Sequence, residues 1–198
     1  MQKLGKKKIL LILLVFLAVL ILWGIFSYNQ FIRKDETVTS SWNNLQVSYQ
    51  RRFDLIPALT SVVIASSDFE KNTLVKLAEI RSQKSGIVSN ETSSEQYNNQ
   101  EGNQANFANT FNKILAVIEK YPDIKSQQNY VRLQDQIAGT ERRIKFSRND
   151  FNKAIQGYNT SVRSFPSSLV ASIFSFKVKD GFKADIGSEK APEITFTK

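Results

Sequence analysis

The sequence predicts an all-α protein: an N-terminal transmembrane helix followed by a mostly antiparallel bundle of about four long helices. Three observations carry that expectation. Residues 9–30 hold no charge. Beyond them, apolar residues recur at every third or fourth position, the spacing of one helix face. No segment of convincing length alternates with the two-residue period of a strand.

The anchor comes first. Lys3, Lys6, Lys7 and Lys8 precede an uncharged run whose centre reads ILLILLVFLAVLILWGIF. As a helix, residues 9–30 would span about 33 Å, against a hydrocarbon core of about 30 Å. A helix buried in a soluble core would need protein on every face, which the flanking lysines argue against. A cleaved signal peptide has a shorter apolar region and a small-residue cleavage site, whereas Trp23, Ile25, Phe26 and Tyr28 crowd the exit here. Trp23 and Tyr28 suit the aromatic belt of a membrane interface. Four lysines precede the run and only Arg33 and Lys34 follow it closely, so the positive-inside bias places the N-terminus in the cytoplasm and the bundle outside.

After the anchor, Trp42, Leu45, Tyr49, Phe53 and Ile56 step by 3, 4, 4 and 3, which extends the anchor helix into the bundle. Leu59, Val63, Phe69, Leu77 and Ile80 suggest a second helix, with Pro57 in its first turn. The stretch SGIVSNETSSEQYNNQEGN, residues 85–103, reads as a loop, rich in Ser, Asn and Gln with a glycine near each end. A third helix carries Phe107, Phe111, Ile114, Ile118 and Tyr121 and stops at Pro122. The longest begins near Ser126. Its seam runs through Leu133, Ile137, Thr140, Ile144, Arg148, Phe151, Ile155, Tyr158, Val162 and Phe165 before Pro166 ends it. Gly139 and Gly157 within it are expected to allow close helix approach, and Leu169–Phe176 to dock on the bundle. The chain thus divides into a basic segment (1–8), an anchor (9–30), a bundle (31–176) and an irregular tail (177–198), with Asn99 and Lys179 expected at the surface.

Composition narrows the chemistry. With no cysteine there is no disulfide framework, thiol nucleophile or thiolate metal site. With no histidine, the commonest general base and transition-metal ligand are missing. No phosphate-cradling glycine loop, HExxH motif or serine elbow occurs. Glu141 and Asp150, nine residues apart on one helix, stand about 13 Å apart along its axis, too far to act together on one bond. Neither catalysis nor a cofactor or metal is expected.

The blocks SWNNLQVSYQRRFDLIPAL, from Ser41, and KYPDIKSQQNYVRLQDQIAGTERRIKFSRNDFNKAIQGYNTSVRSFPSSLVASIFSFK, from Lys120, together resemble the LemA family of bacterial membrane proteins. The resemblance covers roughly residues 28–182. It implies a long helical bundle associated with a membrane, and envelope proteins as partners. It brings no catalytic residues with it.

The remaining candidates are polar residues set in apolar seams: Arg51, Arg52 and Asp54 before Pro57, and Glu141, Arg148, Asp150 and Asn152 on the last helix. Buried charges cost several kcal/mol each unless paired, so facing helices should bring the arginines to Glu141 or Asp150 and thereby fix helix register. A small-anion or peptide site is the alternative reading of the same residues. From Lys125 to Arg163, eight Lys/Arg face three Asp/Glu. Outside the cytoplasm that surface suits an anionic lipid or an acidic wall polymer rather than nucleic acid. The function expected is that of a docking or scaffold protein. Alternatives are a sensor of a small anion and an accessory subunit of an envelope enzyme such as a membrane protease.

Overall fold

The computed structural model describes residues 5–64, 94–125 and 127–181. They form α1 (Lys6–Phe53), α2 (Ile56–Ile64), α3 (Ser94–Ile118), the single turn α4 (Pro122–Lys125), α5 (Gln128–Arg163) and α6 (Ser167–Ile173). No strand occurs among the described residues.

α1 holds 48 residues in one uninterrupted helix, about 72 Å long. Nothing between Ile25 and Phe53 breaks it, because that stretch contains neither glycine nor proline. Its N-terminal part lies free of the bundle: the most apolar 18-residue window is 0% buried, and the large apolar side chains from Ile9 to Leu22 are exposed. A helix apolar on every face and uncovered by protein is a candidate membrane span. The same helix then changes character, burying Phe31, Val38, Trp42, Leu45, Tyr49 and Phe53.

Pro57 lacks the N–H that would donate to the Phe53 carbonyl, and α1 gives way at Asp54 and Leu55. The interruption is short. Asp54 keeps right-handed helical dihedrals, and Leu59 N–H donates to the Leu55 carbonyl at 3.0 Å. Pro57 therefore occupies the first turn of α2, as its position in the sequence predicts. Phe69, Leu77 and Ile80 of the expected second helix lie outside the described residues, as does the Val63 side chain.

α5 runs antiparallel to α1. The pairs Arg52–Glu141, Ser48–Ser147 and Lys34–Ser161 show the sequence running in opposite directions along the shared face. Two apolar clusters fill the interior. One joins Phe53, Ile56, Leu59 and Val62 to Phe107, Phe111, Ile114, Ile118, Tyr130 and Leu133. The other, the upper of the two because it lies nearer the candidate span, joins Phe31, Val38, Trp42, Leu45 and Tyr49 to Tyr97, Ile144, Phe151, Ile155 and Tyr158.

Several expectations change. Of the expected 85–103 loop, residues 94–103 are helix and residues 85–93 lie outside the described residues. Tyr97, Gln100 and Gln104 continue the Phe107–Phe111 phase backward by steps of 3, 4 and 3, and all three are buried. The polar composition concealed a seam in which one aromatic ring and two amides occupy the inward positions. Phe165, placed in the α5 seam, is 82% exposed because α5 ends at Arg163. A Cβ added to Gly139 or Gly157 would meet nothing within 4 Å, so neither glycine serves close helix approach. Only part of Leu169–Phe176 docks: Val170 and Ala171 are buried and Phe176 packs against the upper cluster, while Leu169, Ile173 and Phe174 face outward.

Candidate functional site

The polar residues from α1, α3 and α5 form a layer at the junction of the two apolar clusters. Arg52 is its centre. The side chain is buried, and Nη2 donates to Glu141 Oε2 at 2.6 Å. Nη1 reaches the backbone and side-chain oxygens of Gln104, both at a long 3.4 Å. Arg52 Nε and Gln104 Nε2 are buried without an acceptor among the described residues. One turn toward the span, Ser48 Oγ lies 3.0 Å from Ser147 Oγ. Beside them Arg148 Nε donates to Tyr49 Oη at 3.1 Å, its guanidinium 5.7 Å from the ring centroid. Buried polar groups of this kind tolerate one register of α1 against α5, since a one-turn slip would strand Arg52 in an apolar cluster.

The other predicted residues separate from that layer. Arg51 is exposed. With Asp54, Leu55, Gln136, Gly139, Thr140 and Arg143 it lines a shallow, open depression. Asp54 is exposed and accepts from Gln50 Nε2 at 2.9 Å. Asp150 is also exposed, 4.0 Å from Lys153 on its own helix, and is not brought to the arginines of α1. Phase separates the two arginines, since Arg51 is turned about 100° from Arg52 around α1. Axial position separates the two acids: Asp150 lies nine residues beyond Glu141 on α5, past the Ser48–Ser147 contact and so level with a part of α1 nearer the candidate span than either arginine. Asn152 belongs to a different neighbourhood, where a Cβ on Gly181 would stand 2.7 Å from its Oδ1.

That neighbourhood is one the sequence did not reveal. Residues 177–181, the described part of the 177–198 tail, are irregular and nonetheless docked. Asn159 grips the Lys179 backbone on both sides, Nδ2 donating to its carbonyl at 2.7 Å and Oδ1 accepting its N–H at 2.8 Å. The Lys179 ammonium pairs with Asp35 of α1 and lies 5.4 Å from the Tyr158 ring centroid. Lys179 is thus a staple joining tail, α5 and α1, not a free surface residue. The side chain of Asn99 lies outside the described residues. The only sequence cue was Asn159 itself, a short amide on the inner flank of a long helix.

Burial raises the phenols of the upper cluster. Tyr97 is pushed up to about 12, by loss of hydration first and the Asp35 charge second. Tyr158 is raised by the same two causes. Tyr130, in the lower cluster, is raised by burial despite a hydrogen bond from Gln134, with Glu119 adding to the rise. From about pH 10 upward the unfolded chain therefore loses a Tyr97 proton that the folded chain retains. Stability should be intact below pH 10 and decline progressively toward about pH 12. The check is the urea midpoint at pH 9 and pH 11 in wild type and Tyr97→Phe. The variant should lose less between the two, and equal losses would reject the assignment.

Residues 41–196 match the family described as LemA family. Among curated relatives, Magnetosome protein MamQ 2 of Paramagnetospirillum magneticum is 25% identical over 177 residues, covering 79% of this chain and 64% of that protein. Magnetosome protein MamQ of Magnetospirillum gryphiswaldense is 23% identical over 171 residues, covering 76% and 62%. Protein LemA of Metamycoplasma hominis is 23% identical over 169 residues, covering 84% and 74%. The chain thus spans less than two thirds of the length of the two magnetosome relatives. The matched region includes the Arg52 layer and the docked tail.

Proposed function

The chain belongs to the LemA family, and from that premise we propose that it is a non-catalytic docking or scaffold protein of the bacterial cell envelope, anchored through residues 9–30. One observation carries the reading: α1 passes from the candidate span into the bundle as a single helix. A stem of this kind presents the faces of the bundle at a fixed height and angle above the membrane, as a scaffold requires. The lysine excess before the span supports a cytoplasmic N-terminus and an outward bundle. A sensor of small anions is the second reading, favoured by Arg51 and Arg143 lining one depression.

The cysteine-free chain makes a clean test possible. A single cysteine replacing Phe146, which is 64% exposed on α5, carries a photoreactive maleimide in intact cells. A scaffold gives one discrete adduct, and blocking with a membrane-impermeant maleimide beforehand abolishes it when the bundle faces outward. No adduct at position 146 or at the exposed Val131 and Val47 rejects docking on these faces. Adducts that survive the impermeant reagent reverse the orientation. A thermal shift with inorganic phosphate that disappears in Arg51→Ala would favour the sensor.

A further inference from the structure

The uncharged stretch from Ser164 to Phe176, SFPSSLVASIFSF, is bounded by Arg163 and Lys177. Only part of it serves the bundle. Val170 and Ala171 are buried against the upper cluster, against which Trp23 of α1 also packs. Phe174 meets Tyr28 edge-on with ring centroids 5.0 Å apart, and Phe176 lies 4.9 Å from Phe31. These contacts fix the height of α6: it stands beside residues 23–31 of α1, where the exposed apolar surface of the candidate span ends. Among its other apolar side chains Phe165 is 82% exposed, Ile173 75% and Leu169 56%, and Phe174 is 55% exposed despite its contact with Tyr28. Four large apolar side chains of one short segment left bare is unusual for a solvated surface.

We propose that the α5–α6 corner, residues 165–174, is a second membrane-contacting element, resting in the headgroup and acyl boundary of the bilayer that α1 crosses. The proposal rests on the anchored reading above and goes beyond it. Continuity decides the occupant. Phe174 meets α1 at Tyr28, and within one turn of Tyr28 the exposed Ile25 and Phe26 continue the bare apolar surface of the candidate span, so a bilayer surrounding α1 meets α6 at the same level. The composition agrees with an interfacial position: aromatic and aliphatic side chains at the centre, with exposed Arg163 and Lys177 at the rim to meet lipid phosphates. Such a contact holds the bundle by two points, α1 and α6, which fixes its tilt and rotation about the α1 axis.

The full chain, reconstituted in vesicles of phosphatidylcholine and phosphatidylglycerol, provides the test. Single cysteines replacing Ile173, Asn149 and Leu17, each exposed, carry an environment-sensitive fluorophore. The label at 173 should be quenched by lipids brominated at shallow acyl positions. Iodide should reach it about five-fold less readily than the label at 149, as expected for an interfacial side chain. The label at 17 should be quenched by deeply brominated lipid. If 17 is quenched by lipid and 173 is as open to iodide as 149, the α6 contact is wrong and the anchor stands. If 173 is shielded from iodide yet unquenched by lipid, another part of the chain or a second copy covers it, which also overturns the proposal. Absence of lipid quenching at 17 overturns the anchor and this inference together.

Discussion

Tyr97→Ala is expected to lower the unfolding free energy of the full chain in micelles by about 3–5 kcal/mol, the cost of deleting a large buried aromatic. In a protein of this size that corresponds to a fall of roughly 10 °C in melting temperature. Tyr97 is 2% exposed, its ring 4.5 Å from that of Trp42 and 4.9 Å from that of Phe151. Through it the first turn of α3 reaches α1 and α5. Its hydroxyl is buried with no hydrogen-bond partner among the described residues. Tyr97→Phe should therefore leave stability unchanged or raise it slightly, because removing an unsatisfied buried hydroxyl lifts a desolvation penalty. Thermal unfolding followed by circular dichroism checks both. An alanine variant within about 1 kcal/mol of wild type would mean that residues 94–103 are not packed on the bundle.

The second large effect is an asymmetry within one ion pair. Glu141→Ala should cost about 2–3 kcal/mol, because it strands the buried Arg52 guanidinium without its carboxylate. Arg52→Met should cost about 1 kcal/mol or less: methionine fills the apolar surroundings, and Glu141, half exposed, returns to water. Arg51→Ala, at an exposed position, should stay within about 0.5 kcal/mol. Denaturant unfolding of the three variants gives the order. If Arg52→Met proves worse than Glu141→Ala, desolvation of the guanidinium does not dominate the pair, and the register argument loses its basis.

The adjacent arginines show where reading a sequence reaches its limit. Two cations followed by Phe53, Asp54 and Pro57 mark a polar intrusion in a helical seam, and the facing acid on the last helix could be named in advance as Glu141 or Asp150. Which arginine entered the core could not. Arg51 and Arg52 differ by 100° of helical phase, and only the crossing of α1 with α5 selects the one that meets Glu141. The choice between the two acids depends on the same crossing.

Local pattern determined the rest of what was legible: an uncharged apolar run long enough to span a bilayer, helices with apolar residues at 3- and 4-residue steps, and breaks at Pro57, Pro122 and Pro166. These follow from the chain's own geometry, since periodicity, proline and charge act within a turn or two of themselves. Tertiary structure alone decided that the polar stretch before Phe107 is helix, that Asn159 and Asp35 pin the tail through Lys179, and that α6 leaves its apolar face bare at the level of Tyr28. Each of those joins residues distant in the chain. Their stability comes from burial and pairing that exist only once the helices have met.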